Sequence, residues 1–435
     1  MFQLDAAKKS FLGCLGVCIF ICTIIYRNAK GLSHQDRSLI DVHEAECGFY
    51  PDELCSSFFH YGDLSPKLTL ACQKLYWPDN LLPYEGFNCS SVIQDLHFIT
   101  KPLSRQEETY PLAYIITIHK ELDMFVRLLR AIYAPQNVYC IHIDEKSKWR
   151  YKETVKALVD CFPNVFLASS TVNVVYAGYS RLQADINCMK DLLRSPTAWK
   201  NVINLCGQDF PTMTNKEIIQ FLNSKTWKGK NITPGVKQPL AFKHRTSMKH
   251  KEITAFGNSY VLPFLVKKDI PPANLDIYFG SAYYSLTRKF VEFIFEDKRA
   301  QELLEWSKDT YSPDEHYWVT LNRLQDAPGS TPNASWEGRV RLVKWKDQEG
   351  KDHDGCRGKF VHNICVYAPG DLNWIIEKEN MFANKFEMET FPLAVQCLER
   401  RHRLQVLSQA EAAIEPAWRL QDNTYFDMRQ KVPDC

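Results

Sequence analysis

The rhythm of apolar and polar positions changes twice along this chain. Phe11 to Tyr26 (FLGCLGVCIFICTIIY) carries no charge, with Lys8 and Lys9 before it and Arg27 and Lys30 after. A run of that length is slightly short for a span of about 20 residues and suits a thin bilayer. No small-x-small cleavage site follows, so it predicts an uncleaved signal anchor, with a cleaved signal peptide as the alternative. Residues 27–105 show no sustained periodicity and predict an irregular stem. From Tyr110 the pattern becomes regular. Pro111–His119, Val138–Asp144, Asn164–Ser169 and Asn201–Gly207 are short apolar runs that predict strands. Between them, Leu122, Phe125, Val126, Leu129, Ile132 and Tyr133 fall at helical spacing, and Pro135 ends that helix. Tyr151–Phe162 and Ser180–Ser195 predict two more helices. Strands alternating with helices define an α/β chain with a doubly wound, largely parallel sheet. Ligands of such sheets sit beyond the carboxyl ends of the strands. Those ends carry His119, then Asp144, Glu145 and Lys146, then Gly207 and Asp209.

Composition narrows the class. The chain has 435 residues, 45% hydrophobic and 24% charged, which fits a folded protein of more than one segment. Lys+Arg 53 against Asp+Glu 51 leaves +2, so a basic nucleic-acid binder is excluded. The chain has 15 cysteines, three of them in the N-terminal apolar run, and N-x-S/T sequons at Asn88, Asn231 and Asn333. Both features point to an oxidising, glycosylating compartment. Pro234 after Thr233 makes Asn231 the weakest acceptor.

The common nucleotide motifs are absent. No G-x-G-x-x-G follows the first strand and there is no P-loop, which removes the support for a dehydrogenase or kinase. The D-x-D triplet Asp352-His353-Asp354 lies in a polar loop rather than beyond a sheet strand, and reads as solvated.

Six further segments carry a specific resemblance. They are VYAGYSRLQADINCMKDLL, INLCGQDFPTMTN, DTYSPDEH, LVKW, GDLNW and FANKF, in that order. Over about residues 85–405 the chain resembles the core 2/I-branching β-1,6-N-acetylglucosaminyltransferase family. The resemblance implies a variant GT-A glycosyltransferase fold with a doubly wound mixed sheet, in a type II Golgi membrane protein. Its domains would be a cytosolic tail (1–10), a transmembrane anchor (11–26), a lumenal stem (27–105) and a catalytic domain (106–435). It implies inverting transfer of GlcNAc from UDP-GlcNAc to an O-glycan on a glycoprotein or mucin, with no metal. A homodimer is left open.

The implied chemistry assigns residues. An inverting transfer needs one carboxylate to take the proton of the attacking hydroxyl. In DTYSPDEH the candidates are Asp314 and Glu315, and the resemblance selects Glu315. Thr117, Ile118, His119, Asp144, Glu145, Lys146 and Tyr176 are implied for the donor. Lys385 is implied for its diphosphate. The family's second cation, an arginine, is His362 here, with Arg357 and Lys359 nearby as substitutes. Arg245, Glu315 and Trp345 are implied on the acceptor side, where a family tyrosine is Asp347. Implied disulfides are Cys47–Cys397, Cys89–Cys161, Cys140–Cys188 and Cys356–Cys365, with Cys206 free. The two departures motivate a second reading, a transferase fold that binds sugar with weak or no turnover. A third, transfer of xylose to serine, rests on the shared fold alone.

Overall fold

The computed structural model describes residues 47–62, 64–76, 88–255 and 258–420. The expected tail, anchor and first part of the stem lie outside these residues. Three helices come first, α1 (Pro51–Tyr61), α2 (Pro66–Tyr76) and α3 (Cys89–Asp95). The alternating region follows as β1 (Leu112–Ile118), α4 (Leu122–Ile132), β2 (Val138–Ile143), α5 (Trp149–Val159), β3 (Val165–Leu167), α6 (Tyr179–Arg194) and β4 (Asn201–Cys206). Next come a long two-stranded ribbon, β5 (Met248–Ala255) and β6 (Asn258–Lys267), and a short strand β7 (Ser285–Thr287). A hairpin β8 (Lys359–Val361) and β9 (Ile364–Val366) precedes the final helix α7 (Pro392–Ser408).

The central sheet has the order β7-β4-β1-β2-β3. β1 pairs in parallel with β2 and with β4, and β2 with β3, while β7 runs antiparallel to β4. All seven residues of β1 are buried, because helices cover both faces. This explains its unbroken apolar run. Tyr114 and Tyr139, partners across β1 and β2, stack with ring centroids 5.3 Å apart. The order of strands reverses at β1, so the crevice beyond its end is where a doubly wound sheet takes a ligand. The structure is thus the mixed α/β sheet the sequence predicts.

The described part of the stem is helical rather than irregular. Pro51 and Pro66 begin α1 and α2, where the missing N–H costs nothing. Leu54 and Phe58 of α1 share a core cluster with Leu372, Ile375, Leu393 and Val395. Each such side chain stabilises by about 1.5–3 kcal/mol when fully buried.

The disulfides follow that packing. Cys55 lies on the buried face of α1 and bonds Cys397 of α7, while Cys47, just before α1, bonds Cys72 of α2. This corrects the expected Cys47–Cys397 pair. Cys89–Cys161, Cys140–Cys188 and Cys356–Cys365 form as expected, and Cys206 is a free thiol. Glu399 of α7 is buried and pairs with Arg127 and Arg130 of α4.

The sequons divide sharply. Asn88 and Asn333 are exposed, and the Asn88 side-chain oxygen accepts from the Ser91 N–H as the cap of α3. Asn231 is fully buried. Its amide nitrogen donates to Asn322 and Pro328, and its oxygen accepts from the Thr287 N–H and hydroxyl. Asn231 therefore has no room for a glycan, which corrects that assignment. No helix among the described residues is long and apolar enough to cross a membrane.

Candidate active site

The sheet gathers the expected donor residues at one end. Thr117 is the last polar residue of β1, and its buried hydroxyl has no partner among the described residues. Ile118 is buried in the core, and its carbonyl accepts the Asp144 N–H at 2.9 Å. Its side chain therefore has no face for a ligand. His119 is exposed, and its imidazole pKa is lowered by partial desolvation and by Lys120, Lys146 and Lys385 around it, with Asp144 opposing. Asp144 is buried and accepts from the Lys146 N–H at 2.9 Å, with the Lys146 ammonium 3.5 Å away. Glu145 accepts from the Thr171 hydroxyl at 3.1 Å. Lys120, Lys146 and Lys385 thus surround His119, and two carboxylates, Asp144 and Glu145, are fixed by hydrogen bonds at the rim.

Two distant motifs close over this rim. Tyr176 follows β3 and is 65% exposed. Its ring stacks on His362, centroids 5.1 Å apart. His362 and Asn363 form the tip of the β8–β9 hairpin, with φ of 51° and 64°. Two successive left-handed residues are what a two-residue hairpin turn requires. Lys385 is half-buried, and no carboxylate pairs with its ammonium among the described residues. Desolvation lowers its pKa, while Cys206, Glu387 and Glu121 raise it. An unpaired, part-desolvated lysine is a seat for an anion. The substitutes for the missing arginine are engaged elsewhere. Lys359 pairs with Glu387 at 3.0 Å, and Arg357 pairs with Asp354 at 2.7 Å.

The second wall holds the two candidate carboxylates, Asp314 and Glu315. Ser312 is left-handed (φ 45°) and Pro313 starts a single 3₁₀ turn, Pro313–Glu315. Glu315 ion-pairs with Arg245, whose guanidinium lies 4.7, 5.2 and 5.3 Å from the ring centres of Phe242, Phe279 and Tyr311. That aromatic box holds the arginine in place. Burial and the neighbouring Asp314 push the Glu315 carboxyl up to about 7, with Arg245 pulling the other way. Asp314 is buried and raised to about 6, mainly by desolvation, with Arg181 opposing. The Ser312 N–H donates to the Ala177 carbonyl at 2.7 Å, which ties the turn carrying Glu315 to the segment carrying Tyr176. Trp345 is half-buried and bridges Ile364 of the hairpin, while Asp347 is exposed.

The acidic motifs are structural. Asp209 of the C-G-x-D segment is buried, pairs with Arg341, and accepts from the Cys206 N–H at 2.6 Å and the Asn384 amide at 2.9 Å. Asp354 of the D-x-D triplet is taken up by Arg357, with Lys344 3.5 Å away. Cys356, Cys365 and Asp371 cluster within metal-ligand reach, but the two sulfurs are bonded to each other.

Sequence reasoning missed the aromatic box, because Phe242, Phe279 and Tyr311 come from three separate segments. It also missed Glu252 of β5. That carboxylate accepts from the Ser180 N–H at 2.7 Å and the Ser180 hydroxyl at 3.0 Å, capping α6 beside Tyr176. Gly178 leaves it room, since a Cβ there would lie 2.1 Å from the carboxylate oxygen.

Comparison with known proteins places the chain in a class. Residues 112–376 match the Core-2/I-Branching enzyme family model. The chain belongs to that family, and it is a glycosyltransferase. It is 56% identical over 430 residues, 99% of each chain, to a human protein named "Probable beta-1,3-galactosyl-O-glycosyl-glycoprotein beta-1,6-N-acetylglucosaminyltransferase 7". It is 54% identical over 348 residues, 79% of this chain and 86% of the relative, to human "N-acetyllactosaminide beta-1,6-N-acetylglucosaminyl-transferase". Mouse xyloside xylosyltransferase 1, apo form, aligns over 55% of this chain and 90% of that one, with 15% identity and a TM-score of 0.29, too low to bear on the fold.

Proposed function

We propose that this chain transfers GlcNAc from UDP-GlcNAc to a Gal- or GalNAc-containing O-glycan, in β-1,6 linkage, with inversion and without a divalent metal. Glu315 takes the proton of the acceptor 6-hydroxyl as its oxygen bonds the sugar C1. The C1–O bond to UDP breaks on the opposite face, and the electron pair leaves with the diphosphate. Lys385 and His362 receive that charge. Thr117, His119, Asp144, Glu145, Lys146 and Tyr176 line the donor crevice, and Arg245 and Trp345 flank the acceptor. A type II Golgi protein with a lumenal catalytic domain fits the cysteine bonds and the exposed sequons at Asn88 and Asn333.

The observation that carries this reading is Glu315, a carboxylate raised to about 7 and oriented by a boxed arginine. A general base works best with a pKa near the working pH. The relatives' names supply both acceptor classes to try. A second reading, binding with weak or no turnover, is favoured by His362, which replaces a permanent cation while Arg357 and Lys359 are engaged elsewhere.

The test is transfer from UDP-GlcNAc by residues 31–435 with EDTA present. Core 1, core 3 and poly-N-acetyllactosamine acceptors are offered side by side, with Glu315→Gln as control. Metal-free transfer lost in the control is expected. A folded protein that binds UDP and transfers to none of these acceptors moves the conclusion to the second reading.

A further inference from the structure

The ribbon β5–β6 stands apart from the central sheet, and among the described residues each strand pairs only with the other. Register sorts its residues into two faces. His250, Glu252 and Thr254 share one face with Val261 and Pro263, and Lys251 and Ile253 share the other with Tyr260 and Leu262. The first face turns to the molecule, where His250 is buried and Glu252 caps α6. On the second face Tyr260 and Leu262 are exposed, and a bulge then turns out Phe264, Leu265 and Val266. Leu265 is 100% exposed and Ile270, just beyond, 77%. A contiguous apolar surface of this kind marks an interaction site on a soluble domain.

Charge and position say what covers it. Lys251 and Lys267 are exposed beside the apolar residues, and no carboxylate pairs with either among the described residues. The ribbon's own carboxylate, Glu252, is turned inward, and Asp269 just past its end lies 3.4 Å from Lys249. The outer face is therefore apolar and positive, which opposes two copies meeting face to face. Pro263 removes a backbone donor, which discourages pairing along the strand edge. The ribbon is also rooted in the site. Arg245, the partner of Glu315, lies three residues before β5. Glu252 holds the first turn of α6 beside Tyr176, and His250 packs on Tyr311 of the arginine box.

We infer that the ribbon's outer face docks the polypeptide that carries the acceptor sugar, an acidic, partly apolar segment next to the glycosylated residue. This rests on the proposed transfer to a glycoprotein. A glycan entering at Glu315 brings its polypeptide to the same mouth, and the ribbon is the apolar, positively charged surface rooted there. The enzyme would then read protein context as well as sugar.

Two variants test this, Leu262→Ser/Phe264→Ser/Leu265→Ser and Lys251→Glu/Lys267→Glu. Each is compared with wild type on an aryl disaccharide and on an acidic glycopeptide bearing the same disaccharide. The expected result is a KM for the glycopeptide about tenfold higher in each variant, with kcat and both aryl-glycoside constants unchanged. In wild type, salt should weaken the glycopeptide preference. Equal losses on both acceptors, or no loss, would overturn the proposal. So would variants that instead lose self-association in sedimentation or binding to anionic vesicles. Direct binding of the fluorescent glycopeptide separates this from the transfer reading. Absent transfer with ribbon-dependent binding sinks the transfer reading alone, and transfer with ribbon-independent binding sinks the docking proposal alone.

Discussion

At the scale of residues, the proposed mechanism has Glu315 act only when its proton is off. With its pKa at about 7, kcat/KM should rise with pH through that value on the acid limb. Arg245 holds the carboxyl lower than it would otherwise be, so Arg245→Met should move that limb to higher pH as well as raise the acceptor KM. A pH profile of kcat/KM on a small acceptor checks this, and an unmoved limb would exclude Glu315 as the titrating base. Glu315→Gln should lower kcat by about 10²–10⁴. Glu315 as a candidate is legible in the sequence, because DTYSPDEH is a contiguous motif. Its environment is not. Burial, the Asp314 neighbour and the rings around Arg245 are made by chain crossings that no local pattern records. Ile118 shows the converse, a motif position whose side chain the strand turns into the core.

Among the elements, strands β1 to β4 were readable because both faces of the sheet are covered, which leaves runs of apolar residues. The helices α1 and α2 were not. Each has eleven residues and one modest apolar face, and the scattered prolines that suggested a loop instead begin the helices. The cysteine pairing was misread for the same reason, since only the turn of α1 shows that Cys55 and not Cys47 faces α7. Peptide mapping under non-reducing conditions should recover Cys47–Cys72 and Cys55–Cys397, and a Cys47–Cys397 peptide would refute the arrangement. Cys55→Ser should lower stability by about 6 kcal/mol in the chain-entropy model, because the closed loop is so long. Chemical denaturation of the two forms measures it.

For the whole molecule, acid titrates opposing groups. His402 is buried, donates to the Met213 carbonyl at 3.2 Å, and is lowered to about 4, chiefly by desolvation. Unfolded, it would titrate near 6.5, so the unfolded chain binds the extra proton between those values. His402 therefore costs stability as pH falls from about 6.5 towards 4. Glu315 works the other way. Its native pKa lies above the unfolded value of about 4.5, so the native state binds the extra proton and gains stability as pH falls through 7. His402→Gln should therefore lose less melting temperature than wild type between pH 7.5 and 5, and Glu315→Gln should lose more. Scanning calorimetry at the two pH values checks both signs, and a shared slope would refute the assignment.

The bond between Cys55 and Cys397 joins residues 342 apart in sequence. A ribosome adding roughly 5–20 residues per second needs roughly 20–70 s to deliver the second cysteine after the first. Throughout that interval the Cys55 thiol waits, while the partner of Cys47 arrives after only 25 residues. The first helix can thus be stapled to the second early, and to the body of the enzyme only near the end of synthesis. A chain that stops short of α7 keeps an unspent thiol on its first helix, which marks it as unfinished to any machinery that captures free thiols.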